Sequence, residues 1–435
     1  MKYSMITFGC RVNQADSLGF EEDLRAAGAS SAPPQAADLV IVNTCSVTAA
    51  ADQGARQAIR RVARDNPSAR IIVTGCYATR RPDEVAALPN VVGIVPNDDK
   101  PRLLQLAGTD LRVGPGRTDG SASTTANRLG DGPCGAPIEP GIAGRTAFTL
   151  RVQTGCAEPC AYCIIPATRG RPRSVSINEL LREIHRIVTA GFKEIALTGV
   201  HLGSYGRDLE PATSLIELLR ALDDVSERRA GSRGEVLFRI SSLEPMDCSR
   251  EIVDLVAGSA AFAPHFHLPL QHASNRLLSA MRRPYTIDFY SSLVDGIRAR
   301  IPHASIGSDV IVGFPGETDE DFERLAAYLE RSPLTHIHVF PYSDRPGTPA
   351  STMPCKVAGT VVRERGRRVR EIGQRLTTRF RDSQVGTTHR ALTLEDGSLV
   401  VTGNYLKLRI PPGEPRNQWI HVRVASHDDG ELLRG

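Results

Sequence analysis

Residues 155–163 read GCAEPCAYC, which sets Cys156, Cys160 and Cys163 at spacings of four and three, with Tyr162 just before the last. A structural zinc site uses four ligands in paired C-x2-C units, and only one close pair stands here, Cys160 and Cys163. A cubane [4Fe-4S] cluster also has four corners, each usually held by a thiolate. Held by three, it keeps one iron open to a substrate or cofactor. The three cysteines follow an apolar strand expected at 148–153, and further strands are expected at 194–200, 236–243, 265–271, 305–314 and 335–341. Helical patterns lie between and after them at 176–190, 213–225, 247–258, 286–300 and 318–331. Six strands alternating with helices predict an open, partial (β/α)6 TIM-like barrel. Its active site belongs at the carboxyl ends of the strands, where the cysteines stand.

The first hundred residues repeat a smaller unit. MITFGC, VIVNTC and IIVTGC each run an apolar strand into a small or polar pair and then a cysteine: Cys10, Cys45 and Cys76. Helices are expected at 14–27, 47–65 and 82–88, and a fourth strand at 91–95. Alternating strand and helix predicts a parallel sheet with right-handed crossovers. All carboxyl ends then share one edge, where ligands bind. The three cysteines, distant in sequence, converge there as a second trio.

Residues 114–145 hold twelve Gly or Pro in 32 positions and show no hydrophobic period, so 111–146 reads as a linker or loop. Cys134 inside it reads as an incidental thiol. No role is assigned to Cys248 or Cys355. From about Gly386 the runs ALTLEDG, LVVTGNYLKLRI and WIHVRVAS predict a small all-β domain. The expected organisation is 1–110, an α/β domain; 147–382, the barrel with a trailing basic helix; and 383–435, the β domain.

Composition fits a soluble globular chain: 435 residues, 41% hydrophobic, 23% charged. There is no apolar run that spans a bilayer, and MKYSMITFGC is not a signal peptide. A cytosolic, reducing location follows, where cysteines serve as ligands more often than as disulfides; their odd count of nine agrees. Net charge is only +4. The basic residues are concentrated instead in 363–381, with eight Arg against two Glu, a phosphate-contacting surface or a solvated helix face.

Two three-cysteine sets in this order, followed by a β domain, resemble the radical S-adenosylmethionine (SAM) methylthiotransferases. TFGCRVNQADS (7–17), GCAEPCAYCIIPATRGRPRS (155–174), SDVIVGFPGET (308–318), HVFPYSDRPGTPAS (338–351) and GNYLKLRI (403–410) carry the resemblance over nearly the whole chain. The last looks like the core of an RNA-binding TRAM domain. The resemblance implies two [4Fe-4S] clusters. Cys156, Cys160 and Cys163 would hold the one that binds SAM and yields the 5′-deoxyadenosyl radical. Cys10, Cys45 and Cys76 would hold the auxiliary cluster, which carries the sulfur to be methylated and inserted. It implies a tRNA anticodon stem-loop as partner, an electron donor such as flavodoxin or ferredoxin, and an unspecified sulfur donor. GCRVNQ and ALTGVHLGSYGRD (196–208) look most like the MtaB-like branch, which acts on N6-threonylcarbamoyladenosine at tRNA position 37. Other branches act on N6-isopentenyladenosine or on a ribosomal-protein aspartate, and an RNA-binding iron–sulfur sensor is the non-enzyme alternative.

Carried over residue by residue, SAM contacts fall on Tyr162, Thr198, Gly199, Ser241, Glu244 and Gln271. RNA contacts fall on Arg169, Arg171, Arg173, Arg367, Arg368, Arg370 and Tyr405, with Trp419 a further stacking candidate. His201, Arg207, His272 and Arg345 are candidate partners for a substrate carboxylate at the cavity rim. HLPLQHASN (267–275) departs from the family by His272 and Ala273, and AEP between the first two ligands is unusual. The β domain, with six basic and six acidic residues from 383 on, is electrostatically neutral.

Overall fold

A computed structural model describes residues 1–106, 146–228 and 235–433. Cys134 and all but the last residue of the expected linker lie outside the described residues.

The amino-terminal sheet contains β1 (Lys2–Thr7), β2 (Ser30–Ser31), β3 (Leu39–Thr44), β4 (Arg70–Gly75) and β5 (Val91–Val95), all parallel, in the order β2-β1-β3-β4-β5. The central strand β3, LVIVNT, is buried along its whole length, as a strand covered on both faces must be. Helices α1 (Arg11–Ala26), α2 (Ala49–Asp65), α3 (Cys76–Arg80), α4 (Pro82–Ala86) and α5 (Leu103–Leu106) complete this part. Thr48 caps α2 by accepting the Ala51 N–H at 3.2 Å. One detail differs from the sequence reading. Cys76 is the first residue of a short helix of its own, α3, because the left-handed Gly75 (φ 95°) turns the chain directly from strand into helix.

The six expected barrel strands are all present: β6 (Ala147–Arg151), β9 (Glu194–Thr198), β10 (Leu237–Ile240), β11 (His265–His267), β12 (Ser305–Val312) and β13 (His336–Pro341), with the short pair β7 (Gln153–Thr154) and β8 (Arg173–Ser174) after the first. They form two parallel three-stranded sheets, β6-β9-β10 and β11-β12-β13. Single bridges, Phe238 to Phe262 and Gln271 to Val310, continue the curve. The outer helices are α6 (Ile165–Arg169), α7 (Ile177–Thr189), α8 (Leu215–Arg228), α9 (Arg250–Gly258), α10 (Asn275–Ala280), α11 (Ile287–Arg300) and α12 (Asp319–Arg331). Capping boxes Ser176/Glu179 and Thr318/Asp321 fix the starts of α7 and α12. One continuous apolar core fills the space between strands and helices.

The basic helix α13 (Gly359–Gln384) lies against α12. Arg365 is buried on Glu317 at 3.0 Å, Arg368 pairs with Glu323 at 2.7 Å, and Arg375 pairs with Glu330. Three of the eight Arg of 363–381 thus pair with the preceding helical segment. Strands β14 (Thr388–Leu394), β15 (Leu399–Thr402), β16 (Lys407–Arg409), β17 (Trp419–Val424) and β18 (Gly430–Leu433) then form an antiparallel sheet in the order β16-β15-β14-β17-β18. It packs under the amino ends of the barrel strands. The wholly buried Arg239 reaches Glu194 at 2.8 Å and the Gly403 carbonyl at 2.7 Å, and Trp419 Nε1 donates to the Glu235 carbonyl at 2.8 Å.

His272, expected at the cavity rim, is instead fully buried in the barrel wall. Its Nδ1 accepts from the Ser274 N–H at 3.0 Å. Burial lowers its pKa to about 4, so it is neutral in the fold. An unfolded His titrates near 6.5, so the unfolded state takes up the proton first as pH falls. Stability is therefore full above about pH 6.5 and is lost as pH falls toward 4, by up to about 1.4 kcal/mol per pH unit for this one group. His272→Asn, which keeps an acceptor for Ser274, is expected to lessen the fall in urea midpoint between pH 7 and pH 5. An unaltered pH slope would remove His272 as its source.

Candidate active site

The first trio assembles as the parallel sheet requires. Cys10 follows β1, Cys45 follows β3 and Cys76 follows β4, so all three stand at one sheet edge. Asn13, in the first turn of α1, ties the loops that carry them. Its Nδ2 donates to the Phe8 carbonyl at 2.8 Å and the Thr44 carbonyl at 2.9 Å. Gly9 sits left-handed at φ 94°, and a Cβ there would lie 2.7 Å from Cys45 Sγ. The close approach of the two loops therefore requires glycine.

The electrostatics of the three sulfurs differ. Burial pushes Cys45 up to about 11. Burial would push Cys76 up too, but Arg169, Lys100 and a hydrogen bond from Asn97 Nδ2 (3.6 Å) bring it below the usual thiol value. Lys100 also ion-pairs with the buried Asp16 at 2.5 Å, and Arg151 of β6 takes the other Asp16 oxygen. Burial raises Asp16, and these cations more than reverse the effect, holding it ionised well below the usual carboxylate range.

The second trio sits at the top of the barrel. Gln153 organises its loop: its Oε1 accepts the N–H groups of Val200 and His201, each at 3.0 Å, and its Nε2 donates to the Gly155 carbonyl at 2.8 Å. Gly155 (φ 77°) passes so close to the returning chain that a Cβ would lie 1.9 Å from the Arg171 carbonyl oxygen. Arg283 Nη1 donates to Cys160 Sγ at 3.3 Å, and the same guanidinium ion-pairs with Glu244. Burial raises Cys156 to about 11 and Cys163 to about 12. Thiols deprotonate when they bind metal, so cluster assembly at this site releases protons.

Three free thiols per site, with no fourth cysteine beside them among the described residues, fit a cluster held by three ligands. The residues expected to meet SAM stand at or after the carboxyl ends of barrel strands. Thr198 ends β9 and Gly199 follows it, Ser241 and Glu244 follow β10, and Gln271 follows β11 with a left-handed φ of 65°. Ser241 Oγ is buried with no hydrogen-bond partner among the described residues, as expected of a group awaiting a polar ligand. Tyr162 packs half-buried beside the loop against the cluster that includes Ala161 and Phe314.

Other expected site residues lie elsewhere. Arg169, expected on RNA, is 2% exposed; its Nη2 donates to Asn13 Oδ1 and lies 3.5 Å from Asp16 Oδ2. The Tyr405 ring is covered by Arg239 at 3.8 Å on one side and meets His265 edge-on at 4.6 Å, and its hydroxyl accepts from Arg11. It closes the barrel floor, which leaves little face for a base. Trp419 is likewise covered by Arg390, 3.9 Å from its ring centre. Arg345 is buried on Asp52 at 2.6 Å, joining the loop after β13 to α2. His201 hydrogen-bonds Asp247 at 2.9 Å, while Arg207 is exposed beside the same carboxylate. Cys248 is buried in the barrel core, and Cys355 is exposed.

Some site residues escaped sequence reading. Asn13 and Asp16 follow Cys10 at three and six positions, on one face of α1, a periodicity that could have marked them. Arg283, Asn97 and Lys100 carry no local signal. Nor was the row His267, Asp309 and His338 singled out, in which Asp309 Oδ1 accepts from His267 at 3.0 Å and His338 at 3.2 Å inside the barrel.

Residues 2–96 match the uncharacterized protein family UPF0004, and residues 150–329 match the radical SAM superfamily. A solved structure of TsrM, a radical S-adenosylmethionine methyltransferase of Kitasatospora setae, superposes with a TM-score of 0.55 at 17% identity, covering 80% of this chain and 77% of that one, a likeness of fold alone. The threonylcarbamoyladenosine tRNA methylthiotransferase MtaB of Aquifex aeolicus is 35% identical over 410 residues, covering 94% of this chain and 96% of the relative. That of Bacillus subtilis is 34% identical, covering 98% of each. The tRNA-2-methylthio-N(6)-dimethylallyladenosine synthase of Corynebacterium glutamicum is 32% identical, covering all of this chain and 81% of the relative. The fold and the three-cysteine loop define a radical SAM enzyme. Within that class, the chain belongs to the methylthiotransferase family. Its cofactors are SAM and two [4Fe-4S] clusters.

Gly9→Ala is expected to lose the auxiliary cluster alone, leaving about four of about eight iron atoms per chain, with SAM cleavage retained. Full iron content in this variant would show that the two loops tolerate a wider approach.

Proposed function

We propose that the protein inserts a methylthio group at carbon two of N6-threonylcarbamoyladenosine at position 37 in the anticodon stem-loop of tRNA. The carrying observation is the joining of the two cysteine sets: α6, which begins two residues after Cys163, presses on α3, which begins with Cys76. The family likeness to threonylcarbamoyladenosine enzymes over nearly the full chain supports this substrate.

When bound, the clusters and SAM supply sulfur, methyl group and radical. The chain's own residues hold them: Cys156, Cys160 and Cys163 at the barrel top, Cys10, Cys45 and Cys76 at the facing sheet edge. Thr198, Gly199, Ser241, Glu244 and Gln271 offer polar and backbone contacts to SAM beside Tyr162, and the Glu244–Arg283 pair fixes one carboxylate next to Cys160. A low-potential donor such as flavodoxin or ferredoxin would supply electrons. No helix among the described residues is long and apolar enough to cross a membrane. The exposed residues Arg171, Arg367, Arg368 and Arg370, with the partly exposed Arg173, remain the phosphate candidates. Exposed ion pairs such as Arg367–Glu371 are weak, so phosphate can replace the carboxylate.

The substrate test is incubation with tRNA bearing each modification, followed by nucleoside mass spectrometry. Methylthiolation of threonylcarbamoyladenosine is expected. Product confined to dimethylallyladenosine would move the protein to the branch of its Corynebacterium relative. No product on either RNA would favour a protein substrate.

Replacing Arg367, Arg368 and Arg370 by Gln is expected to lower the slope of log affinity against log salt by about one unit per phosphate lost. An unchanged slope would leave α13 as packing and solvated surface.

A further inference from the structure

Arg169 occupies a position that neither phosphate binding nor ordinary packing explains. It ends α6, only six residues after Cys163, yet its guanidinium meets Asn13, the residue that ties the Cys10 and Cys45 loops together. It lies within electrostatic reach of Cys76, Cys10 and Cys45. Its neighbour Thr168 accepts from Asn97 Nδ2 at 2.8 Å, the same nitrogen that lies 3.6 Å from Cys76 Sγ. Two consecutive residues of the radical-cluster loop therefore touch the surroundings of one auxiliary sulfur.

The charges point the same way. Asp16 is the carboxylate at this junction, and Lys100 and Arg151 take its two oxygens at close range. Arg169 stands off at 3.5 Å. Its Nη1 has only a long contact to Thr154 Oγ1, also 3.5 Å, while Nη2 is held by Asn13. A guanidinium that is 2% exposed and only weakly matched by a shared carboxylate calls for further negative charge beside it. Three thiolates outweigh the positive charge of a cubane core, so a cluster on Cys10, Cys45 and Cys76 is anionic and would supply it. Hydrogen bonds to cluster sulfurs and nearby charge both set a cluster's reduction potential. A buried cation favours the more negative, reduced state and so raises the potential.

We infer that Arg169 is a positioning residue for the auxiliary cluster, supplying the buried counter-charge that raises the cluster's potential and tying its place to the radical-cluster loop through α6. The inference rests on the two-cluster reading, and its test separates the two. The parent protein carries Cys156, Cys160 and Cys163 changed to Ala, so that only auxiliary iron remains. Iron per chain and the midpoint potential, followed by electron paramagnetic resonance, are measured in this parent and after adding Arg169→Gln or Arg169→Lys. Arg169→Gln is expected to shift the potential downward or to lose iron. Arg169→Lys, which keeps the cation, is expected to fall between Gln and the parent. Full iron with an unmoved potential in both variants would overturn the inference, as would equal loss of iron in both, which would return the residue to packing. A parent with no iron would instead overturn the auxiliary cluster itself.

Discussion

The buried carboxylate of Asp16 is the interaction on which the rest of the molecule depends. It sits in the first helix, yet its cationic partners come from the end of the amino-terminal sheet (Lys100), the first barrel strand (Arg151) and the radical-cluster loop (Arg169). Removing a carboxylate that serves several buried cations leaves them uncompensated, a loss of about 3–5 kcal/mol for one broken buried pair. Such a junction is not a flexible hinge between independent units. It fixes the sheet edge that bears one cysteine trio against the barrel top that bears the other. Chemistry that passes a group between two cluster sites needs that fixed geometry, because misplacement of reacting atoms by even about 1 Å can cost two orders of magnitude in rate.

Much of this was legible in the sequence, for physical reasons that can be named. Strand–cysteine–helix units repeat locally, and parallel topology forces their ends to one edge, so the convergence of Cys10, Cys45 and Cys76 followed from pattern alone. The barrel strands read correctly because each is a short apolar run between helical periods. Strand ends read less well: β11 stops at His267 rather than 271, because the chain leaves the ladder and rejoins it only through the single bridge at Gln271.

What could not be read was the direction in which charged side chains point. Arginine in a motif suggests phosphate, and sequence offers no way to see that Arg169 turns inward to meet Asn13, a residue 156 positions earlier. Part of the run of eight Arg, namely Arg365, Arg368 and Arg375, was unreadable in the same manner. Its register against Glu317, Glu323 and Glu330 of the preceding segment exists only once the two helices lie side by side. Tyr405 read as a base-stacking residue because GNYLKLRI resembles the core of an RNA-binding domain. The fold gives its ring to Arg239 and His265 instead.

That last placement gives the carboxy-terminal sheet a second meaning. Gly403 and Tyr405 accept and cover a guanidinium, that of Arg239, which is wholly enclosed. The Tyr405 hydroxyl also takes a hydrogen bond from Arg11, the residue next to the first auxiliary ligand. The sheet is therefore the floor of the reaction chamber as well as a surface on its outside. A chain shortened before β14 would open the barrel from below, strand a buried cation in water's path and release one tether of the Cys10 loop. The carboxy-terminal sheet is thus fixed to the barrel by the same contacts that close its floor.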